Sequence, residues 1–418
     1  MKPVKVALIG AGLRGINYLE YAIHQPHELQ VVAVAEPVAE RRRAFQVRHG
    51  IPEDMCFESA DALLASPKLA DAVLICTQDR QHYEPTMQAL AAGYHVLLEK
   101  PMSPDPGECI RMAEQAERAN RVLSICHVLR YTPFFSTIKE LLDRGAIGRL
   151  MSIQHNENVG YWHQAHSFVR GNWRRKDESS PMILAKSCHD LDILAWLADS
   201  ECVRVSSFGS LTHFTAAEAP AGAPLRCLDG CPVADGCLYY APRQYLTDNT
   251  DWPTSAISDD PSYEARYRAL QDGPYGRCVY HCDNDVVDHQ VVNMEFANAV
   301  TVAFTMSAFT RDVSRTLKLM GTKGEIRGAM EKNEIEIVHF GSGKVETISF
   351  GGVDGHVGHG GGDMRLVKDF LRLVRADGKG DSLTSAQRSV QSHLIAFASE
   401  QSRVDGQVVS LEQFARQQ

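Results

Sequence analysis

Apolar runs punctuate the first part of the chain at regular intervals. Val4–Ile9, Leu29–Ala35, Asp71–Thr77, His95–Leu98 and Val122–Cys126 are short, nearly continuous and rich in Val, Leu and Ile. Between them lie stretches of helical period. One starts at about Leu13, a short one covers Asp61–Ala65, one begins after His82 with Pro85 in its first turn, and one covers Asp105–Asn120. His49–Ser59 reads as a connection around a short strand. Strands apolar throughout and separated by helices predict a parallel, doubly wound sheet, because helices then cover both faces. Pro133–Gly145 is an amphipathic helix with Phe135, Ile138, Leu141 and Leu142 inward. From Leu150 the pattern changes. Met151–Asn158 and residues 203–213 read as strands, and Pro181–Leu197 as one largely apolar helix. Val286–Phe296, Val300–Phe309, Arg315–Met320, Gly324–Met330, Ile335–His339 and Val345–Phe350 read as an antiparallel meander. Amphipathic helices over Asp363–Arg375 and Ser385–Gln401 close the chain. The fold class is therefore α/β: a parallel-sheet domain over 1–125, then an α/β domain over 126–418 with a mostly antiparallel sheet.

The ends of the first strands carry the chemistry. After Val4–Ile9 the chain runs Gly10-Ala11-Gly12-Leu13-Arg14-Gly15, a G-x-G-x-x-G turn opening a helix. Gly10 makes the turn, Gly12 lets backbone approach a pyrophosphate, and Gly15 lets helix and strand pack closely. The helix N-terminus offers N–H groups and a positive dipole end to phosphate. Glu36 ends the second strand, where a carboxylate suits the ribose hydroxyls of a dinucleotide and repels a 2′-phosphate, so NAD is expected over NADP. Thr77, Lys100 and His127 stand at the carboxyl ends of later strands, where such sheets bind ligands. Lys100, followed by Pro101, is expected to polarise a substrate hydroxyl.

Composition bounds the setting. The chain has 418 residues and a net charge of -9, so a nucleic-acid or acidic-membrane surface is not expected. The sequence displays no signal peptide and no apolar run long enough for a bilayer, and the cytoplasm is the expected compartment. Eleven cysteines there should be thiols or metal ligands. Residues 216–282 form a proline- and glycine-rich insertion holding Cys227, Cys231, Cys237, Cys278 and Cys282. This bias predicts a structural zinc site on Cys227, Cys231, Cys237 and Cys278, with Cys282 in reserve. Gly351–Gly362 is a glycine-rich loop with His356 and His359 as further site candidates.

The glycine turn, Glu99-Lys100-Pro101, Thr77 with His82, and His127-Val128-Leu129-Arg130-Tyr131 resemble the glucose–fructose oxidoreductase / inositol dehydrogenase / rhizopine catabolism (Gfo/Idh/MocA) family. The resemblance implies a Rossmann domain, a second domain with a large open sheet, an NAD or NADP cofactor, and a homo-oligomer (dimer or tetramer) built through that sheet. It adds His82 and Glu99 to the expected cofactor contacts, and His127, Arg130 and Tyr131 to the substrate contacts. The aromatic and imidazole-rich stretch with Trp162, His163, His166, Arg170 and Trp173 is expected to be a loop that touches a sugar. In the resembled family the helix at 181–197 carries an aspartate, a histidine four residues later, and a second aspartate. His189 and Asp192 match the last two; Ala185 stands where the first would be, with Lys186 beside it. The implied reaction is hydride transfer between NAD and a secondary hydroxyl of a sugar, sugar derivative or cyclitol, with Lys100, His189 and Lys186 at the chemistry. Arg170, Arg174, Arg175 and Lys186 hint at an anionic substrate. The alternative is an NAD-dependent glycoside hydrolase that oxidises, eliminates and re-reduces, with Lys186 steadying the enolate.

Overall fold

The computed structural model describes residues 2–351 and 358–418. Its first sheet has six parallel strands: β1 (Val4–Ile9), β2 (Leu29–Ala35), β3 (Cys56–Phe57), β4 (Ala72–Ile75), β5 (His95–Leu98) and β6 (Leu123–Ile125), in the order β3-β2-β1-β4-β5-β6. Alternate residues of β1 feed different cores. Val4, Val6 and Leu8 pack on one side, Ala7 and Ile9 on the other. Both faces are covered, which is why these strands read as unbroken apolar runs. The order reverses between β1 and β4, opening a crevice beyond their carboxyl ends. Helix α1 (Leu13–His24) leaves β1 at that crevice, and α2 (Ala39–His49), α3 (Ala60–Leu64), α4 (Tyr83–Ala91) and α5 (Pro106–Ala119) complete the layers.

The second sheet has nine strands. They are β7 (Leu150–Asn158), β8 (Cys202–Ser210), β9 (His289–Phe296), β10 (Thr301–Ser307), β11 (Ser314–Gly321), β12 (Gly324–Ala329), β13 (Glu334–His339), β14 (Val345–Ser349) and β15 (Val409–Ser410), in the order β14-β13-β12-β11-β7-β10-β9-β8-β15. It is mostly antiparallel, but the expected meander is interrupted. β7 lies between β10, to which it is parallel, and β11, to which it is antiparallel. The β10–β11 connection crosses the end of β7, where Val159 N donates to Ser307 O and Tyr161 N to Thr310 O. Helices α6 (Pro133–Asp143) and α7 (Cys188–Ala198) cover one face. On the other, Phe208 and Val291 form an exposed cross-strand pair.

Two further expectations change. Pro181–Leu197 is not one helix. A turn over Met182–Ala185 stops at Lys186 and Ser187, and α7 starts afresh. The break leaves the Ala185 carbonyl to a partner outside the helix. The closing helices also return to the first sheet. α8 (Gly362–Arg375) buries Leu366, Phe370 and Leu373 in the same core as Val6 and Tyr18. α9 (Ala386–Asp405) spans both sheets, as Met102 N donates to His393 and Ser207 N to Ser402.

Candidate functional site

The glycine turn divides its tasks as its spacing predicts. Gly10 has φ +92°, and a Cβ there would stand 2.7 Å from the Cys76 carbonyl oxygen. A Cβ on Gly15 would stand 2.5 Å from the Gly10 carbonyl oxygen, so helix and turn touch. At Gly12 nothing lies within 4 Å of such an atom, which leaves backbone open to a phosphate. The first turn of α1 holds no acidic residue; Leu13 within it is exposed. Glu36 is buried and closes the turn from β2, accepting from Ala11 N at 2.8 Å and Val38 N at 3.0 Å. Arg42 pairs with Glu58 and Arg41 with Asp259, so neither cation pairs with the Glu36 carboxylate. This turn and acid fit a dinucleotide.

Arg14 and Glu99 form a frame beneath the crevice. The Arg14 Nε donates to Glu99 at 2.8 Å, and its terminal nitrogens donate to both Asp363 oxygens at 3.1 and 3.0 Å. Tyr18 donates to Glu99 at 2.9 Å, and the second Glu99 oxygen accepts from Lys100 N at 2.5 Å. Burial pushes the Glu99 carboxyl up, but the Arg14 and Lys100 charges outweigh it and hold it below the usual range. His82 is buried, with Nδ1 2.7 Å from Pro101 O and Nε2 3.1 Å from Thr77 O. It ties the β4 and β5 ends together. Thr77 donates to Gln81 O. Lys100 Nζ then crosses the crevice and donates to Ala185 O at 3.0 Å, at the helix break.

His189 is buried, with its ring edge-on to His127 at 5.9 Å. His127 is edge-on to His393 in turn, and burial with the nearby Arg130 and Lys100 charges depresses its basicity far below an ordinary imidazole. Arg130, Tyr131 and Asp192 turn to protein partners. Arg130 holds Asp192 in a two-pronged ion pair at 2.6 and 2.7 Å, and Tyr131 donates to Asp369 at 3.0 Å.

The expected loop is helical: Tyr161–His163 runs into a π-helical segment, Gln164–Arg170. Trp162 stacks on His163, and both meet the ring of Trp252, a half-exposed residue of the insertion. Trp173 donates to Asp79. His166 and Arg170 face the insertion. His166 Nδ1 is 2.9 Å from the Tyr245 hydroxyl, and burial lowers the ring to about 4. Arg170 donates to Arg277 O, Tyr239 O and the Cys227 sulfur. Cys227, Cys231, Cys237 and Cys278 line one small cavity with Arg170. Yet among the described residues no group of three or more His, Cys, Asp or Glu side chains could hold a metal ion, so the zinc expectation finds no support here. Burial pushes the Cys237, Cys278 and Cys282 thiols up. His356 and the side chain of His359 lie outside the described residues.

Sequence reasoning missed a buried ionic network beside the crevice. Lys186 Nζ stands 3.3 Å from Glu157, and the other Glu157 oxygen is 2.5 Å from Arg315. Arg315 also holds Asp190 at 2.9 and 3.2 Å, and His155 lies 2.7 Å from Asp190. The signal was present: His155 and Glu157 share the inward face of β7 with Ile153. Polar residues on an inward face ask for partners.

Comparison with known proteins agrees with this architecture. Residues 4–127 match the oxidoreductase family with an NAD-binding Rossmann fold, and residues 135–327 match the GFO/IDH/MocA C-terminal domain. The Bacillus subtilis protein YteT, named for an oxidoreductase, is 26% identical over 320 residues, 72% of each chain. Inositol 2-dehydrogenase of Corynebacterium glutamicum is 26% identical over 208 residues, covering 49% of this chain and 57% of that one. Levoglucosan dehydrogenase, solved with NADH and L-sorbose, superposes with a TM-score of 0.73 at 19% identity over 98% of this chain and 99% of that one. An inositol dehydrogenase homologue from Azotobacter vinelandii, solved with NAD+, gives 0.71 at 16% identity, over 98% and 97%. With both domains matched, and with the glycine turn and Lys100 at one crevice, the chain belongs to the GFO/IDH/MocA family of oxidoreductases with an NAD-binding Rossmann fold.

Proposed function

We propose that this chain is an NAD-dependent dehydrogenase acting on a secondary hydroxyl of a sugar, sugar derivative or cyclitol. The observation that carries the reading is the Lys100 Nζ, 3.0 Å from the Ala185 carbonyl. It brings the only lysine at the end of β5 against the segment that bears Lys186 and His189. The nicotinamide, when bound, supplies the hydride acceptor. Lys100 donates a hydrogen bond to the reacting hydroxyl and makes it more acidic. His189 takes the hydroxyl proton as the C–H bond gives up its hydride, leaving a ketone. Trp162, His163 and Trp252 offer flat faces against which a sugar ring lies. Relatives named for inositol and levoglucosan support the substrate class. Glu36 selects NAD over NADP. The exposed Phe208–Val291 pair supports assembly of a homo-oligomer through the open sheet. No described helix is long and apolar enough to cross a membrane, and a cytoplasmic setting is part of the proposal.

The test is NAD with a panel of sugars and cyclitols, wild type against Lys100→Met. NADH formation should fall by about 10²–10⁴-fold in the variant while NAD binding holds. Equal rates in the two proteins would remove Lys100 from the mechanism.

A further inference from the structure

Glu157 is an acid in an unusual position. It sits on β7, the strand between β10 and β11, with its side chain fully buried. Both of its oxygens meet cations: Lys186 at 3.3 Å and Arg315 at 2.5 Å. Arg315 is shared with Asp190, which is itself bonded to His155. The Lys186 side chain is 15% exposed, whereas the Glu157 and Asp190 side chains have no exposure. Lys186 follows Ala185, whose carbonyl holds Lys100. The network therefore ends in one ammonium group next to the lysine expected to act on the hydroxyl.

We propose that Glu157 is a positioning residue that keeps Lys186 cationic, so that Lys186 and Lys100 together receive the oxyanion formed at the reacting hydroxyl. The inference rests on the dehydrogenase reading. The forces on Lys186 come from every element around it. Burial, Arg315 and Lys100 favour the neutral amine; Glu157 and Asp190 favour the ammonium, Glu157 more strongly. His163, held neutral by burial, adds no charge. Burial and Asp190 push the Glu157 carboxyl up, while the Arg315 and Lys186 charges against its two oxygens pull it back toward the carboxylate. A second cation beside the first steadies negative charge on the substrate oxygen most where water is scarce.

The test compares wild type with Glu157→Gln, an isostere without charge. Lys186 is titrated by competitive acetylation with acetic anhydride across pH, read by mass spectrometry of its peptide; no substrate is required. An opposite charge at this range shifts a partner by about one to three pH units. The Lys186 midpoint should fall by at least one unit in Glu157→Gln and by less in Glu157→Asp, which also serves if the amide variant does not fold. Equal midpoints would overturn the proposal. In turnover of levoglucosan or myo-inositol with NAD, the alkaline loss of kcat/KM should move to lower pH in Glu157→Gln. It should move to higher pH in Lys186→Arg, whose guanidinium stays charged and leaves Lys100 alone to set the limb. An alkaline limb unmoved in both variants would also overturn it. If wild type makes no NADH from any polyol, the dehydrogenase reading fails, and the acetylation midpoints still decide the effect of Glu157 on Lys186.

Discussion

His393 should make the protein lose stability as pH falls below neutral. The ring is fully buried on α9, beneath the loop that follows Lys100. Its Nδ1 lies 2.7 Å from Ser389 O, and its Nε2 accepts from Met102 N at 2.9 Å. Both contacts are met only by the neutral ring with its proton on Nδ1; a second proton would point at the Met102 N–H. Burial, with the His127 ring, lowers His393 from 6.5 to about 3. The sign follows from linkage. A folded-state value below the unfolded one means that the unfolded chain binds the extra proton first, so stability is complete above 6.5 and drains away toward 3. At pH 5 the loss from this one ring is about 2 kcal/mol relative to pH 7. Other buried histidines add to the total, so the assay is a difference. Urea unfolding is followed by circular dichroism at pH 7 and pH 5, for wild type and His393→Gln. The variant should start less stable, having lost a buried hydrogen bond, yet lose about 2 kcal/mol less between the two pH values. An identical pH dependence in both proteins would refute the assignment of the neutral ring.

Gly15→Ala should weaken NAD binding at least tenfold, because its Cβ meets the Gly10 carbonyl at 2.5 Å and the turn must shift; calorimetric titration reads this directly. Glu36→Ser should narrow the preference for NAD over NADP by about tenfold or more, measured as the ratio of the two Kd values. Trp252→Ala should raise KM for the sugar by about tenfold with kcat nearly unchanged, since the residue offers a face and no proton; a fall in kcat with constant KM would argue against that role. Arg14→Met should cost about 3 kcal/mol or more in urea unfolding, because it leaves Glu99 and Asp363 buried without their shared cation.

What was legible in the sequence follows the range of the forces involved. The parallel sheet was readable because β1, β4 and β5 are buried on both faces, and a run of apolar residues says so directly. The glycine turn was readable because its three glycines answer to sterics within a few residues. The place of β7 was not, since alternation reports which face a residue takes and not which strand lies beside it. The helix break at Lys186 was hidden because apolar periodicity continues through it, while the partner of the freed carbonyl lies 85 positions away. Arg130 and Asp192 illustrate the same limit: their pairing spans 62 positions, beyond the reach of local pattern. The cysteine spacing brought four thiols around one cavity but could not show how they are turned. The network of Glu157, Arg315 and Asp190 was announced only by polar residues on an inward strand face.

The central claim is that the hydride leaves with the cofactor. Purified protein is mixed with NAD in excess and a single polyol, levoglucosan or myo-inositol, and in parallel with an aryl glycoside and NAD far below the glycoside concentration. Reduced nicotinamide is followed by absorbance, together with polyol consumed and aglycone released. A dehydrogenase yields one NADH for each polyol oxidised, and the glycoside reaction stops once the NAD is used. Continued aglycone release over many turnovers, without net NADH, would contradict the account and install the redox-neutral hydrolase in its place.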